Sequence, residues 1–440
     1  MTSSRPQRLL QIDPLDRKEQ EEFVRNYLTP ELLCGKPGSV SEARWVLKSL
    51  SNDQTAFTGF TSLVDVRGDT LGYDGQIKLV PNAAFVEPFV LKNLDVAAAN
   101  RLEDLRTKLS GMDSTKVPEI NELLEEAERI APVQGRTKGK SPIFFYSVTD
   151  KMFNLPKSFY DRMATATEVI CEGLSFAATN FNSSLDTALF DRKTENTETQ
   201  FYTGSIDFMV FGDQIYVVDV GSPAVGYVAD IVFASDAVGV KPELGMDDLA
   251  SALGSENSLY AGKSNELGFF KLETSSLVDG VRGKGKEIEV IPGGLAEVEI
   301  DGVKYPTEKY DFISRNQPLR NKVLRAMQSR LTELGVYVPQ GVVTTSESME
   351  LSDFYQKTKL GEDLGIIVKK KVLFGEYQRG SGYFKPLVVP IWDRELLNNK
   401  RSSTLFEQFI PSLMDMNIAG MGEGKRCYEI RMYYCAGKGK

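Results

Sequence analysis

The sequence contains no histidine. This absence excludes the Ser-His-Asp triad, the Cys-His pair, an imidazole general base and every His-ligated metal site. Any chemistry must therefore rest on carboxylates, lysine, arginine, backbone amides and hard metal ions. Nucleotide chemistry with magnesium fits this inventory, because Mg2+ takes oxygen ligands while lysine and arginine bind phosphates.

Cysteine is scarce, and the four cysteines stand far apart. Cys34, Cys171, Cys427 and Cys435 form no CxxC pair, so the sequence indicates neither a zinc cage nor a disulfide framework. Four reduced thiols in a cytosolic protein are the simplest interpretation.

Long hydrophobic runs and an excess of positive charge are lacking as well. No apolar run reaches the roughly 18 residues needed to span a bilayer, and residues 1–16 do not have the pattern of a signal peptide. The net charge of -9 argues against nucleic acid as a general partner. We therefore expect a cytoplasmic protein that binds neither membrane nor nucleic acid.

The 440 residues are too many for one ordinary core and suit two to four packed subdomains. Residues 1–140 have helical periodicity at both ends and strand-like segments in the middle, which predicts a mostly helical N-terminal extension. Residues 236–315 alternate short strands with helical pieces, which predicts a small α/β subdomain. Together with segments 141–235 and 316–440, the pattern indicates a mixed α+β or α/β fold.

Residues 141–235 are predicted to hold a strand at 141–148, a long helix at 157–180 and a hairpin over 205–220. Gly212 and Asp213 provide a tight turn between the two apolar runs of the hairpin. Asp207 and Asp219 lie on its two strands, each between apolar neighbours.

Residues 316–440 contain an ordered set of parts. A helix with clean periodicity over 320–334 is followed by short strands, a glycine-rich segment at 375–383 and further strands at 365–374, 404–411 and 427–435. The residues of interest in these parts are Lys322 and Arg325 in the helix, Lys369, Gly380, Gly382, Glu407, Phe409 and Ile410 along the middle, and Arg431 in the last strand.

This order resembles the nucleotide-binding half of ATP-grasp enzymes. In that family a lysine helix, a "vvvK" strand with a glycine loop, and a hinge strand of the type "v-x-E-x-f-I" follow one another. The resemblance implies that Lys322 and Lys369 bind the phosphates of ATP and that the loop with Gly380 and Gly382 closes over them. It also implies that the hinge strand binds adenine through backbone groups near Phe409 and Ile410. Glu407 could instead, or also, accept a hydrogen bond from the adenine amino group or the ribose.

The metal-binding hairpin of the family has its best match upstream, over residues 206–226. The resemblance implies that Asp207 and Asp219 bind Mg2+ between the phosphates. Because the hairpin precedes the nucleotide half, the implied fold is a circularly permuted ATP-grasp fold. In it, residues 141–235 form the metal-binding lobe, 236–315 a small pre-ATP-grasp-like subdomain and 316–440 the nucleotide-binding lobe.

The sequence departs from the family pattern at three positions. Asp219 stands where glutamate is usual, Gly221 where asparagine is usual, and Ser205 where many members have arginine. The arginine that stabilises the oxyanion must then come from elsewhere. Arg431 and Arg325 are both candidates, and spacing does not choose between them.

Each part taken alone has a simpler structural interpretation. Lys369 could be an edge-strand lysine, and a glycine-rich segment alone is a weak signal for phosphate. Asp207 and Asp219 could be surface charges at strand ends, and Glu429 could pair with Arg431. The joint order of the parts favours the functional interpretation.

The resemblance implies an ATP- and Mg2+-dependent ligase. It would join a carboxylate, such as an amino acid, a peptide or a small acid, to an amine through an acyl phosphate, releasing ADP and phosphate. Phosphoryl transfer without ligation is one alternative, and a non-catalytic ATP-binding scaffold, suggested by Gly221, is another. Expected partners are the two small-molecule or peptide substrates, and the family allows a homodimer.

Overall fold

The computed structural model describes part of the chain. The described residues are 15–27, 60–86, 94–112, 116–131, 141–179, 203–221, 231, 234–241, 258–260, 288–290, 297–300, 303–306, 317–344, 366–370, 381–384, 404–419 and 422–435. None of the helices in these ranges is long and apolar enough to cross a membrane.

The described residues form a mixture of helices and small sheets. The helices are α1 (Arg17–Tyr27), α2 (Val96–Ser110), α3 (Val117–Ile130), α4 (Lys157–Thr179), α5 (Ala234–Val238), α6 (Gln317–Ala326) and α7 (Gln328–Glu333). The strands are β1 (Val64–Asp65), β2 (Leu79–Val86), β3 (Ile143–Thr149), β4 (Phe153–Asn154), β5 (Thr203–Phe211), β6 (Gln214–Gly221), β7 (Ser258–Tyr260), β8 (Ile288–Val290), β9 (Glu297–Ile300), β10 (Val303–Pro306), β11 (Val336–Tyr337), β12 (Gly341–Thr344), β13 (Ile366–Lys370), β14 (Ser381–Phe384), β15 (Thr404–Gln408), β16 (Leu413–Ile418), β17 (Gly422–Cys427) and β18 (Ile430–Cys435).

The first four-stranded sheet, called the carboxylate sheet below, has the order β11-β6-β5-β18. β5 and β6 form the hairpin that the sequence predicts, and Gly212 in its turn has φ 64, a conformation that glycine adopts without strain. The register shifts between Asp207 and Phe208, which marks a β-bulge of the kind that re-aims a side chain. The bulge therefore lies directly beside the first predicted metal ligand.

The second four-stranded sheet, called the lysine sheet below, has the order β12-β15-β13-β14. All of its pairings are antiparallel. β13, which contains Lys369, is hydrogen-bonded on one side to β15 and on the other to β14. Helix α6 contacts both β13 and β15.

Helix α4 forms the centre of the largest apolar core. It contacts α6, α7, β11 and β18, and its buried residues include Met163, Ile170 and Leu174. Gly173 allows a close approach, because a Cβ built there would lie 1.9 Å from the sulfur of Met327. The core thus packs the carboxylate sheet together with helix α6, which also contacts the lysine sheet.

The N-terminal residues contribute a second core. β2 pairs with β3, and α2 and α3 bury Leu102, Leu105, Leu109 and Ile120 beside them. Asp95 begins α2 by accepting a hydrogen bond from Ala98 N at 2.8 Å. The β2–β3 pairing crosses residue 140, the predicted limit of the N-terminal extension.

Two sequence predictions of single elements differ from the structure. The helix over 320–334 is interrupted at Met327, whose amide donates to both Val323 O and Leu324 O, a tightened turn that ends α6. The last strand begins at Ile430 rather than Cys427, because Cys427 ends β17 and pairs with Leu413 of β16. Most of the glycine-rich segment predicted at 375–383, including Gly380, lies outside the described residues.

Candidate functional site

Three charged residues stand in one row across the carboxylate sheet. In the register, Arg431 on β18 is the Cα partner of Asp207 on β5, and Asp207 is the partner of Asp219 on β6. Directly opposed residues on neighbouring strands have their side chains on the same face. Strand pairing therefore brings together three residues that are far apart in the sequence.

Arg431 holds Asp207 in a two-point contact. Arg431 Nε donates to Asp207 Oδ1 at 2.6 Å, and Nη2 donates to Oδ2 at 2.8 Å. This parallel arrangement is the strongest common geometry for a guanidinium and a carboxylate. Asp207 is only 4% exposed and its neighbour on the strand, Ile206, is 0% exposed, so β5 is buried on both faces.

Two more carboxylates lie beside this pair. Glu429 Oε1 is 3.6 Å from Arg431 Nη2, and Asp219 Oδ1 accepts a hydrogen bond from Val220 N at 2.9 Å. With all four groups ionised, three negative charges face one positive charge. This described group therefore contains more acidic than basic side chains.

The electrostatics of Asp207 reflect this imbalance. Burial raises its pKa above the ordinary value, the charge of Arg431 opposes that shift, and the negative charges of Glu429 and Asp219 add to it. The net shift of the Asp207 pKa is upward, because desolvation is its largest cause. A second cation nearby would stabilise the ionised form of Asp207 and lower its pKa.

The donor set can be tested against Mg2+ on its chemistry. Carboxylate oxygens are the ligands that Mg2+ prefers, and it commonly takes only one or two of them from a protein. Within the described part of the chain, no group of three or more acidic or thiol side chains is arranged to hold a metal ion. A magnesium ion at Asp207 and Asp219 would also have to share Asp207 with Arg431. Asp207 and Asp219 could therefore supply two ligands to a Mg2+ ion, whose coordination would be completed by ligands from outside the chain, such as phosphate oxygens. They do not form a closed protein cage.

The lysine sheet contains a different buried carboxylate. Glu407 is 4% exposed, and its Oε1 accepts a hydrogen bond from Asn321 Nδ2 of α6 at 2.6 Å. Asn321 Oδ1 accepts from Arg325 Nε at 2.8 Å, and Arg325 Nη2 donates to Pro339 O at 3.0 Å. Burial lowers the pKa of Arg325, and the charge of Glu407 opposes that change.

These contacts place the two candidate arginines in different surroundings. Arg431 lies among the carboxylates of the first sheet, whereas Arg325 joins helix α6 to the segment before β12. The sequence left the two arginines equivalent as candidates for the oxyanion. Of the pair, only Arg431 contacts a residue predicted to bind metal.

The segment after β15 connects the two sheets. Phe409 and Ile410 are each 2% exposed, and Ser412 follows them with its Oγ accepting a hydrogen bond from Val210 N of β5 at 3.3 Å. At the other end of the segment, Gln408 N donates to Gln340 O at 2.6 Å. The predicted hinge therefore leads from the lysine sheet directly onto the carboxylate sheet.

The remaining predicted site residues are located by element and register. Lys369 is the Cα partner of Leu405 and of Ser381, and Gly382 is the partner of Val368. Lys322 lies on α6, one residue after Asn321.

Sequence reasoning missed Asn321 and Ser412. Asn321 is a polar residue on the buried face of an amphipathic helix, one turn before Arg325, and that position was a usable signal. Nothing in the sequence marks Ser412, since a lone serine after a strand is ordinary.

Comparison with known proteins adds no relative. No protein-family model matches the chain, and no curated protein matches it significantly.

Proposed function

We propose that the chain is an ATP- and Mg2+-dependent ligase of circularly permuted ATP-grasp type, which joins a carboxylate to an amine. The observation that carries the proposal is the place of β13 in the lysine sheet. The lysine strand lies between the hinge strand and the strand of Gly382, and the hinge continues to the hairpin of Asp207 and Asp219 through Ser412. Support comes from the lysine strand, the strand of Gly382 and the hinge strand sharing one sheet, and from the contact of the segment after the hinge with β5.

The residues receive the following roles under this proposal. Lys369 and Lys322 offset phosphate charge, and the backbone around Gly380 and Gly382 approaches the phosphate oxygens. Asp207 and Asp219 hold Mg2+, which when bound neutralises phosphate charge. The backbone near Phe409 and Ile410 faces adenine. Arg431 stabilises the oxyanion, because it lies beside the proposed metal ligand Asp207, whereas Arg325 lies beside Asn321 and Pro339.

The reaction proceeds in two displacements. A carboxylate oxygen of the substrate attacks the γ-phosphorus, the bond between that phosphorus and the β,γ-bridging oxygen breaks, and ADP leaves. The amine nitrogen of the second substrate then attacks the carbonyl of the acyl phosphate and loses a proton. The carbon–oxygen bond to phosphate breaks, which gives the amide and inorganic phosphate.

The assay combines ATP, Mg2+ and pools of amino acids, peptides and amines. We expect ADP and phosphate to form only when an acid and an amine are both present. Formation of AMP and pyrophosphate would contradict the proposal. Lys369→Met should abolish product, whereas Lys370→Met serves as the matched control, because neighbouring strand residues alternate between the faces of the sheet.

A second candidate is a non-catalytic nucleotide-binding protein. The contact of both Asp207 oxygens with Arg431 favours it, since this carboxylate is already paired within the chain. Under this candidate, ATP binds without turnover, and Asp207→Asn and Asp219→Asn leave its affinity unchanged. Product formation in the assay above would exclude it.

A further inference from the structure

We draw no further inference here: the strongest candidate, the cluster of Asp207, Asp219, Glu429 and Arg431 at the carboxylate sheet, belongs to the site already described.

Discussion

Two buried carboxylates, one in each four-stranded sheet, receive hydrogen bonds from different kinds of donor. Asp207 receives both donors of Arg431 directly, whereas Glu407 receives one donor from a neutral amide that is itself bonded to Arg325. The two acids are equally buried, at 4% exposure each. The negative charges of Glu429 and Asp219 lie near the direct pair. In the carboxylate sheet the buried acid is balanced by the charge of an arginine. In the lysine sheet the buried acid accepts a hydrogen bond from a neutral amide.

The largest expected effect comes from breaking the direct pair. Arg431→Met leaves a buried carboxylate without its counter-ion and should lower the free energy of unfolding by about 3 kcal/mol. Urea denaturation measures it. Arg330→Met, which removes an exposed arginine paired with Glu172, is the control and should cost less than about 1 kcal/mol.

A double-mutant cycle sharpens the same point. Arg431→Met and Asp207→Leu together should cost clearly less than the sum of the two single changes, because neither charge is then buried alone. Additive costs would show that the two side chains are not coupled.

Replacing Glu407, which is linked to Arg325 through Asn321, should destabilise the protein less than replacing Asp207. Glu407→Gln retains the bond from Asn321 through its amide oxygen, so we expect a loss of about 1.5 kcal/mol in unfolding free energy. Asp207→Asn turns one NH2 hydrogen toward an Arg431 donor and should cost more. If the two substitutions cost the same in urea titrations, the contrast between the sheets is incorrect.

Removing one hydroxyl group should weaken the contact between the segment after β15 and the carboxylate sheet. Ser412→Ala removes the acceptor for Val210 N in a position with 0% exposure and should cost about 1 kcal/mol. Thr165→Ala, which removes an exposed hydroxyl bonded to Asp161 O, is the matched control. Equal small effects of both on thermal unfolding would mean that the contact does not stabilise the connection.

The smallest effect concerns a buried hydroxyl outside both sheets. Burial raises the pKa of Tyr73 to about 12, opposed by hydrogen bonds with Ser62 and Thr149. The folded state then resists ionisation, so the stability from this group is present below the unfolded pKa near 10 and is lost as the pH rises toward 12. Between pH 9 and 11 the unfolding free energy of the unchanged protein should fall by roughly 0.5–1 kcal/mol more than that of the Tyr73→Phe variant. Parallel losses in both proteins would contradict this origin.

The sequence predicted local elements well where the pattern was strong. The hairpin with its Gly212-Asp213 turn and the long helix from Lys157 agree with the structure, because a glycine turn and sustained periodicity are local signals. The helix breaks at Met327, which packs against Gly173 of another helix, a contact that no local pattern contains.

The candidate site was predictable only as a set of residue types. The residues Asp207, Asp219 and Arg431 were identified from motif order, but the pairing of Arg431 with Asp207 requires β18 to lie beside β5, a contact between distant segments. The amide of Asn321 and the hydroxyl of Ser412 acquire meaning only through partners elsewhere in the chain. Pairing of distant strands is what single-sequence periodicity cannot specify.

The central claim is that the hairpin of Asp207 and Asp219 and the strand of Lys369 bind one triphosphate between them. A crystal structure with a non-hydrolysable ATP analogue and Mg2+ tests it most directly. The account predicts the metal within coordination distance of both aspartates, Lys369 on a phosphate oxygen and adenine against the backbone of residues 408–410. A nucleotide bound elsewhere, or Asp207 and Asp219 remote from the phosphates, would contradict it.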